Sequence, residues 1–375
     1  MDLLLSDAQR TLLDTSMRFI KREWPIARVR DAALGTGDDG RSRTAAELGW
    51  FTLLVPEEFG GGSLSDDPLV DCILVARARG ADLCPDNFVG TNVVAAALAA
   101  AGSTDQVEVL LSQLISGAVT AAWVAGGTGS GTGPTAGVSS QHIRGGPGYI
   151  LRGKKAAVAD VVTCDWILVS ALTGGGGASQ FLVPADAPGV RIVELDGLDI
   201  TRRFADVLFD DVTVPEAALL GTWGEAAELI DQQLQLAAVL TMGEMVGAMT
   251  ADFALALDYA KTRTAFGRPI GSFQAVKHLL ADTSLLVETS DAMVFAAGRA
   301  LGRRESRAAE AVSMAKAYVS DAGIEVVHNC FQVFGGVGFT WEHDQHLYLR
   351  RVTTDALRYG DASWHRERLC QLVGV

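Results

Sequence analysis

RTAFGRPIGSFQAVKHLLAD, residues 263–282, is the most specific stretch of this sequence, and it stands between long helical patterns. Before it runs AAELIDQQLQLAAVLTMGEMVGAMTADFALALDYAKTR (226–263). After it come SFQAVKHLLADTSLLVETSDAMVFAAGRALG (272–302) and SRAAEAVSMAKAYVSDAGIEVVHNCFQVF (306–334). These segments are long and apolar-periodic, as amphipathic and buried helices are. Long helices in succession predict a bundle, here a four-helix bundle over residues 223–375.

Upstream the character changes. Between 118 and 222 the chain offers short β-branched runs: VTAAWVAG, GYILRGKKAAVAD, DWILVSAL, SQFLVPA, GVRIVEL and ADVLFDDVTV. Gly, Asp and Pro separate them at the spacing of an all-β sandwich or barrel. The segment GGTGSGTGPTAG (126–137) is almost pure turn-former. Residues 1–117 read as helices again. SDAQRTLLDTSMRFIKREW opens with Ser6 as an N-cap candidate, LGWFTLLVPEEFGGGS (48–63) interrupts, and helical patterns resume at 67–80 and 90–116. The expected fold is α+β and multidomain. An N-terminal α-helical domain (1–117) precedes a middle β domain (118–222) and a C-terminal α-helical bundle domain (223–375).

The totals exclude some functions. Lys and Arg number 31 and Asp and Glu 45, a net charge of −14. Such a surface repels phosphate backbones, so no nucleic-acid partner is expected. The 5 cysteines are scattered and form no CxxC pair, which argues against a disulfide framework and a structural zinc. The first residues, MDLLLSDAQR, lack the basic and apolar regions of a signal peptide. Apolar runs such as VVAAALAAAG (93–102) are shorter than the ~18–20 residues of a membrane span. The expectation is a soluble cytoplasmic protein without a metal. His343, His346 and His365 form no recognisable ligand spacing, and GGTGSGTG lacks the Gly-Lys-Ser/Thr of a P-loop.

RTAFGRPIGSFQ resembles the R-x-x-FG-x-PIG-x-FQ signature of acyl-CoA dehydrogenases. HNCFQVFGGVGFTWEHDQHLYLRR (328–351) is similar to that family's Q-x-x-GG-x-G-[FY] signature. LGWFTLLVPEEFGG and DDVTVPEAALLG (210–221) resemble two more family stretches, so the likeness runs in order along the chain. It implies an FAD that takes a hydride from Cβ of an acyl-CoA thioester while a carboxylate takes the α-proton. It also implies a tetramer built as a dimer of dimers, each FAD lying between two subunits, and reoxidation by an electron-transferring flavoprotein. The resemblance assigns Arg263, Phe266, Ile270, Gln274, Gln332, Gly335 and Gly336 to the flavin. Their chemistry suits it: Arg263 offers a fork of donors to a pyrophosphate, the glycines admit close backbone approach, and the glutamines can bond polar edges. Alone, the Gly pair would read equally as a helix stop.

Elsewhere the chain departs from the family pattern. Where a Thr-Glu-Pro and a Gly-rich turn ending Gly-Ser-Asp are usual, it has Val124-Ala125-Gly126-Gly127 and Gly129-Ser130-Gly131. Where Gly-x-Lys-x-Trp-Ile-Thr is usual, it has GKKAAVAD (153–160), with Ala157 for the tryptophan and Ala159 for the threonine. The family's first base position, the glutamate of Tyr-Glu-Gly-Thr, is Tyr359. A phenol, with an ordinary pKa of ~10, suits proton abstraction near neutrality poorly. The second base position, on the helix before R-x-x-FG, is Ala237, followed by Ala238. Two carboxylates remain as candidates. Asp361 follows Gly360 and reads also as a helix cap. Glu244 lies seven residues after Ala237, on the same helix face but ~10.5 Å along the axis. Arg202-Arg203 could meet a CoA phosphate or simply face solvent.

The chain keeps the flavin half that is given across a subunit interface and lacks the half a subunit provides for itself. The expected function is therefore that of a subunit in a heteromeric acyl-CoA dehydrogenase, with a second acyl-CoA dehydrogenase-like chain carrying the base. The alternatives are a self-sufficient homotetramer with its base relocated to Asp361, a flavin-dependent oxidase or oxygenase on the same fold, and a scaffold without ligand. The acyl group is not legible.

Overall fold

The computed structural model describes residues 5–32, 41–85, 87–124 and 136–375. The first helix, α1 (Asp7–Glu23), starts where Ser6 closes a capping box: Ser6 Oγ accepts from the Gln9 amide, and Gln9 Oε1 accepts from the Ser6 amide. Then follow α2 (Ile26–Ala32), α3 (Arg41–Glu47), α4 (Pro68–Ala81) and α5 (Phe88–Ala101). The helical pattern read over 90–116 is broken in two. Gly102 leaves the helix in an extended conformation, and a second reciprocal pair, Ser103 with Gln106, starts a π-helical turn (Gln106–Leu111) that leads into α6 (Ser112–Ile115).

The middle of the chain is a mixed sheet of β1 (Ala121–Val124), β2 (Val138–His142), β3 (Tyr149–Ala159), β4 (Trp166–Thr173), β5 (Ala178–Pro184), β6 (Val190–Leu195), β7 (Phe204–Val214) and β8 (Leu219–Leu220). The order is β6-β7-β3-β2-β4-β5-β8, with β1 also on β4. β4 pairs antiparallel with β5, while β1 and β2 lie parallel to it, β1 at residues 166–169 and β2 at 172–173. The parallel pairings are long-range and left no trace in the spacing of the runs. Alternation along the strands separates two cores. Ala122, Val124, Ile167, Val169, Phe181 and Val183 fill the sheet's own core. Trp123, Leu168 and Leu182 point the other way, into the helices.

The C-terminal part holds α7 (Ala227–Thr262), α8 (Gln274–Gly302), α9 (Ala308–Phe334), α10 (Gln345–Leu357) and α11 (Ala362–Val373). A two-residue hairpin, Thr264–Ala265 against Arg268–Pro269, joins α7 to α8. By length and composition α7 could cross a membrane. Its most apolar window is mostly buried inside the protein, as in a core helix. One core unites the helices of both ends of the chain: Trp50, Phe88 and Ile73 belong to it with Val239, Met242 and Val326.

Glycines set how closely α4 and α7 approach. A Cβ on Gly80 would stand 1.9 Å from the Glu244 carbonyl oxygen, and one on Gly247 2.0 Å from that of Arg77. Both clashes are with backbone, so relief requires the helices to separate. Gly80→Ala or Gly247→Ala should therefore cost at least the ~1–3 kcal/mol of ordinary overpacking. Gly336→Ala, where a Cβ meets nothing within 4 Å, should leave the thermal unfolding midpoint unchanged. Calorimetry of the three variants checks the contrast.

Candidate functional site

Residues from three helices converge at one end of the bundle. Arg263 is the C-cap of α7, Gln274 begins α8, and Gln332 lies in the last turn of α9 before Gly335 and Gly336. Because α8 runs back along α7 and α9 returns, these ends are neighbours; Tyr259 of α7 contacts Phe334 of α9, ring centroids 5.1 Å apart. Arg263, Gln274 and Gln332 are all exposed. Among the described residues none of their side chains has a hydrogen bond or an ion pair. Phe266 crowns the hairpin, 95% exposed and in the left-handed region with φ 52°. Ile270 is half-buried against the helical core. Gly335 has φ 58°, and around both glycines the space is open. The set comprises one guanidinium, two free amides, the first turn of a 29-residue helix and an approachable backbone. It fits a large ligand carrying a pyrophosphate and polar ring edges.

The two positions where the family resemblance expects a base lie elsewhere, where the sheet meets the helices. Ala237 is wholly buried within α7. Tyr359, between α10 and α11, has φ 57°. Its ring stacks on Trp123 of β1, centroids 5.7 Å apart and planes 29° apart. Arg358 Nη2 donates to its phenol oxygen at 3.0 Å. Asp361 Oδ1 accepts from the Trp364 amide at 2.8 Å and so caps α11. Glu244 is buried between two cations: Arg202 Nη2 is 2.6 Å from Oε2, and Arg79 Nε is 3.6 Å from Oε1. The structure does not bring Asp361 and Glu244 together with Tyr359 as a free acid–base pair. One closes a helix and the other neutralises guanidinium groups.

Arg202 is no surface anchor for a CoA phosphate. Its Nη1 pairs with Asp160 at 2.7 Å, its Nη2 with Glu244, and its Nε faces Asp355 at 3.7 Å. Arg203 alone faces outward, bonded to Glu194 on β6. Burial by itself would raise the Asp355 carboxyl; Arg202, Arg358 and Arg351 outweigh it and hold that group below the carboxylate range. Beside them Lys316 of α9 donates to Ser320 Oγ at 3.0 Å and to the carbonyls of Asp355 (3.2 Å) and Ala356 (2.9 Å), at the end of α10. Burial brings its pKa down to about 7. Burial also drives His365 down to about 3, leaving a neutral ring 3.0 Å from the Tyr359 carbonyl.

The other departures from the family pattern divide in two. Ala157 sits at a break in the β3–β7 register with φ 49°, its amide donating to Asp206 Oδ1 at 3.0 Å, and Ala159 pairs with Phe204. No indole or hydroxyl stands at either position. Ala125 to Gly131 lie outside the described residues. Among the described residues no cluster of His, Cys, Asp and Glu could hold a metal ion. Trp123, Arg358 and Lys316 escaped sequence reasoning. Only the odd tryptophan in an otherwise small-residue run, AAWVAGG, hinted at one of them.

Comparison with known proteins agrees with this architecture. Residues 6–118 match the model of the acyl-CoA dehydrogenase N-terminal domain, and residues 227–371 that of the C-terminal domain. Acyl-CoA dehydrogenase FadE12 of Mycobacterium tuberculosis is 30% identical over 312 residues, 80% of this chain and 78% of the relative. Acyl-CoA dehydrogenase IpdE2 of Mycolicibacterium smegmatis is 28% identical over 371 residues, 98% of both chains. A chain of the ChsE4-ChsE5 complex from Mycobacterium tuberculosis superposes with a TM-score of 0.89 at 24% identity, over 100% of this chain and 99% of the other. This chain belongs to the acyl-CoA dehydrogenase family of flavoprotein oxidoreductases.

The buried charges make two predictions. Arg202→Met leaves Glu244, Asp160 and Asp355 without their shared cation, and should destabilise the chain by about 3–5 kcal/mol in denaturant unfolding. Lys316 has a folded pKa of about 7 against ~10.4 unfolded. The unfolded chain therefore binds more protons above pH 7, and this residue makes stability rise with pH from there. Lys155, also lowered by burial to about 7, acts with the same sign. Between pH 7 and ~8.5, below the ordinary thiol range, the unfolding midpoint of wild type should rise more steeply than that of Lys316→Met.

Proposed function

We propose that this chain is the base-less subunit of an FAD-dependent acyl-CoA dehydrogenase, acting in α,β-desaturation of an acyl thioester beside a second acyl-CoA dehydrogenase-like chain that carries the glutamate. The observation that carries the reading is the contrast between the two ends of the molecule. Arg263, Gln274, Gln332 and Gly336 stand exposed and Gly335 half-buried, and among the described residues the three side chains have no hydrogen bond or ion pair. At the base position the Tyr359 ring is stacked and hydrogen-bonded, and the two nearest candidate carboxylates are committed to a helix cap and to ion pairs.

Bound FAD would supply the hydride acceptor. This chain's part is to hold it: Arg263 takes the pyrophosphate charge, Gln274 and Gln332 bond polar edges, and Phe266 reaches from the hairpin tip over the partner. The partner supplies the α-proton acceptor and the remaining flavin contacts. An electron-transferring flavoprotein takes the electrons onward. The ChsE4-ChsE5 structure, by its description a complex of two differently named chains, supports pairing of unlike subunits. None of the 5 cysteines is joined in a disulfide among the described residues, which supports a cytoplasmic, reducing setting.

Purified alone, the chain should carry substoichiometric flavin and should not bleach it with any acyl-CoA. Co-expressed with a glutamate-bearing family chain, it should yield a yellow complex whose flavin is reduced by the cognate thioester. Arg263→Met in this chain should lower flavin content by roughly ten-fold or more while assembly survives, because a pyrophosphate loses a charge-assisted fork. A fully flavinated, active lone chain would refute the reading. Asp361→Ala should cost about 1 kcal/mol of stability by loss of the cap and leave turnover of the complex unchanged; abolished flavin reduction would instead make Asp361 the base.

A further inference from the structure

The pattern of β1 decides what fills the region around the lost base. Ala122 and Val124 face the sheet's core; Trp123, with Leu168 and Leu182 beside it across the strands, faces the helices. Two residues from Leu182 along β5, Gln180 exchanges hydrogen bonds with Gln233 of α7, at 2.6 and 2.8 Å. Gln233 is one helical turn before Ala237, the family's second base position. The sheet face that carries Trp123 therefore meets α7 one helical turn from a residue that the family resemblance makes a base position. From the opposite side comes Tyr359, the first base position, and the two rings meet.

The tyrosine ring is held from several directions. The Arg358 guanidinium lies 4.9 Å from its centroid and donates to its oxygen, and Asp355 Oδ1 anchors Arg358 at 3.0 Å. His365 Nε2 meets the Tyr359 carbonyl at 3.0 Å. At Gly360, φ 98°, a Cβ would come within 2.5 Å of Trp364, so the turn has little freedom. Trp123 is 3% exposed, and its indole N–H finds no acceptor among the described residues. Volume and stacking, rather than a polar bond, account for the tryptophan there.

We infer that Trp123 and Tyr359 form an internal plug that closes this chain's own thioester cleft, so that acyl-CoA enters only through the partner. The inference rests on the base-less reading above and extends it: the chain has lost the room for substrate as well as the base. It also assigns each ring a task, Trp123 filling the sheet side and Tyr359 the side of the α10–α11 turn.

The test is equilibrium dialysis of the purified full-length chain against radiolabelled butyryl-CoA and octanoyl-CoA. Wild type should retain neither above buffer. The pair Trp123→Leu and Tyr359→Gly should retain one thioester per chain, at least roughly ten-fold more tightly than wild type. Glycine suits the left-handed backbone of position 359, and leucine keeps position 123 apolar, so the double variant should fold; circular dichroism verifies that. If it does not fold, Tyr359→Gly alone should show the same gain in weaker form. Saturable binding by wild type overturns the plug, and so does a folded variant that binds nothing. Flavin content on co-expression is a separate readout: it can uphold the heteromer while dialysis rejects the plug.

Discussion

The Arg202 guanidinium holds the parts of this molecule in one arrangement. It comes from the segment entering β7 and touches Asp160 after β3, Glu244 on α7 and Asp355 on α10. Arg79 of α4 reaches the same Glu244, so N-terminal helices, sheet and C-terminal helices share one buried set of charges. An ion set taken wholly out of water is a poor source of net stability, yet it is intolerant of losing a member. Its consequence is positional. Asp355 is fixed by Arg202 and in turn fixes Arg358, and Arg358 holds the Tyr359 ring. Lys316 ties the last carbonyls of α10 into the same place.

The opposite end of the bundle shows the reverse economy. There the side chains of Arg263, Gln274 and Gln332 have no hydrogen bond or ion pair among the described residues, and an almost fully exposed phenylalanine sits on a hairpin in a left-handed conformation. In the proposed reading that phenylalanine meets the partner chain. One end of the molecule is tied together by its own ion pairs, and in the proposed reading the other is completed by a partner and a cofactor. That asymmetry is what the proposed role, a subunit that completes another chain's site, rests on.

Much of this was legible in the residues. The long periodic segments around 263–282 gave three helices almost to their ends, because their length and their flanking Gly and Pro leave little freedom. Ser6 announced α1. The residues proposed to hold the flavin could be picked out because they lie on contiguous signatures whose spacing is local. What was not legible depends on chain crossings. Nothing in VTAAWVAG says that β1 lies parallel to β4, so nothing said that Trp123 faces the helices. Arg202 looked like half of a surface pair with Arg203; only the folded approach to β7 shows Arg202 buried against Asp160 and Glu244 and Arg203 turned to Glu194. Glu244 read as a candidate base on helical spacing alone, and its commitment to Arg79 and Arg202 needed two other parts of the chain. Asp361 offered both a cap and a base, and its geometry is that of the cap.

The most direct measurement is native mass spectrometry of the complex formed when this chain is co-expressed with a glutamate-bearing family member. The account predicts two copies of each chain and two FAD, one for each site completed by Arg263, Gln274 and Gln332. Four copies of this chain alone holding four FAD would contradict it.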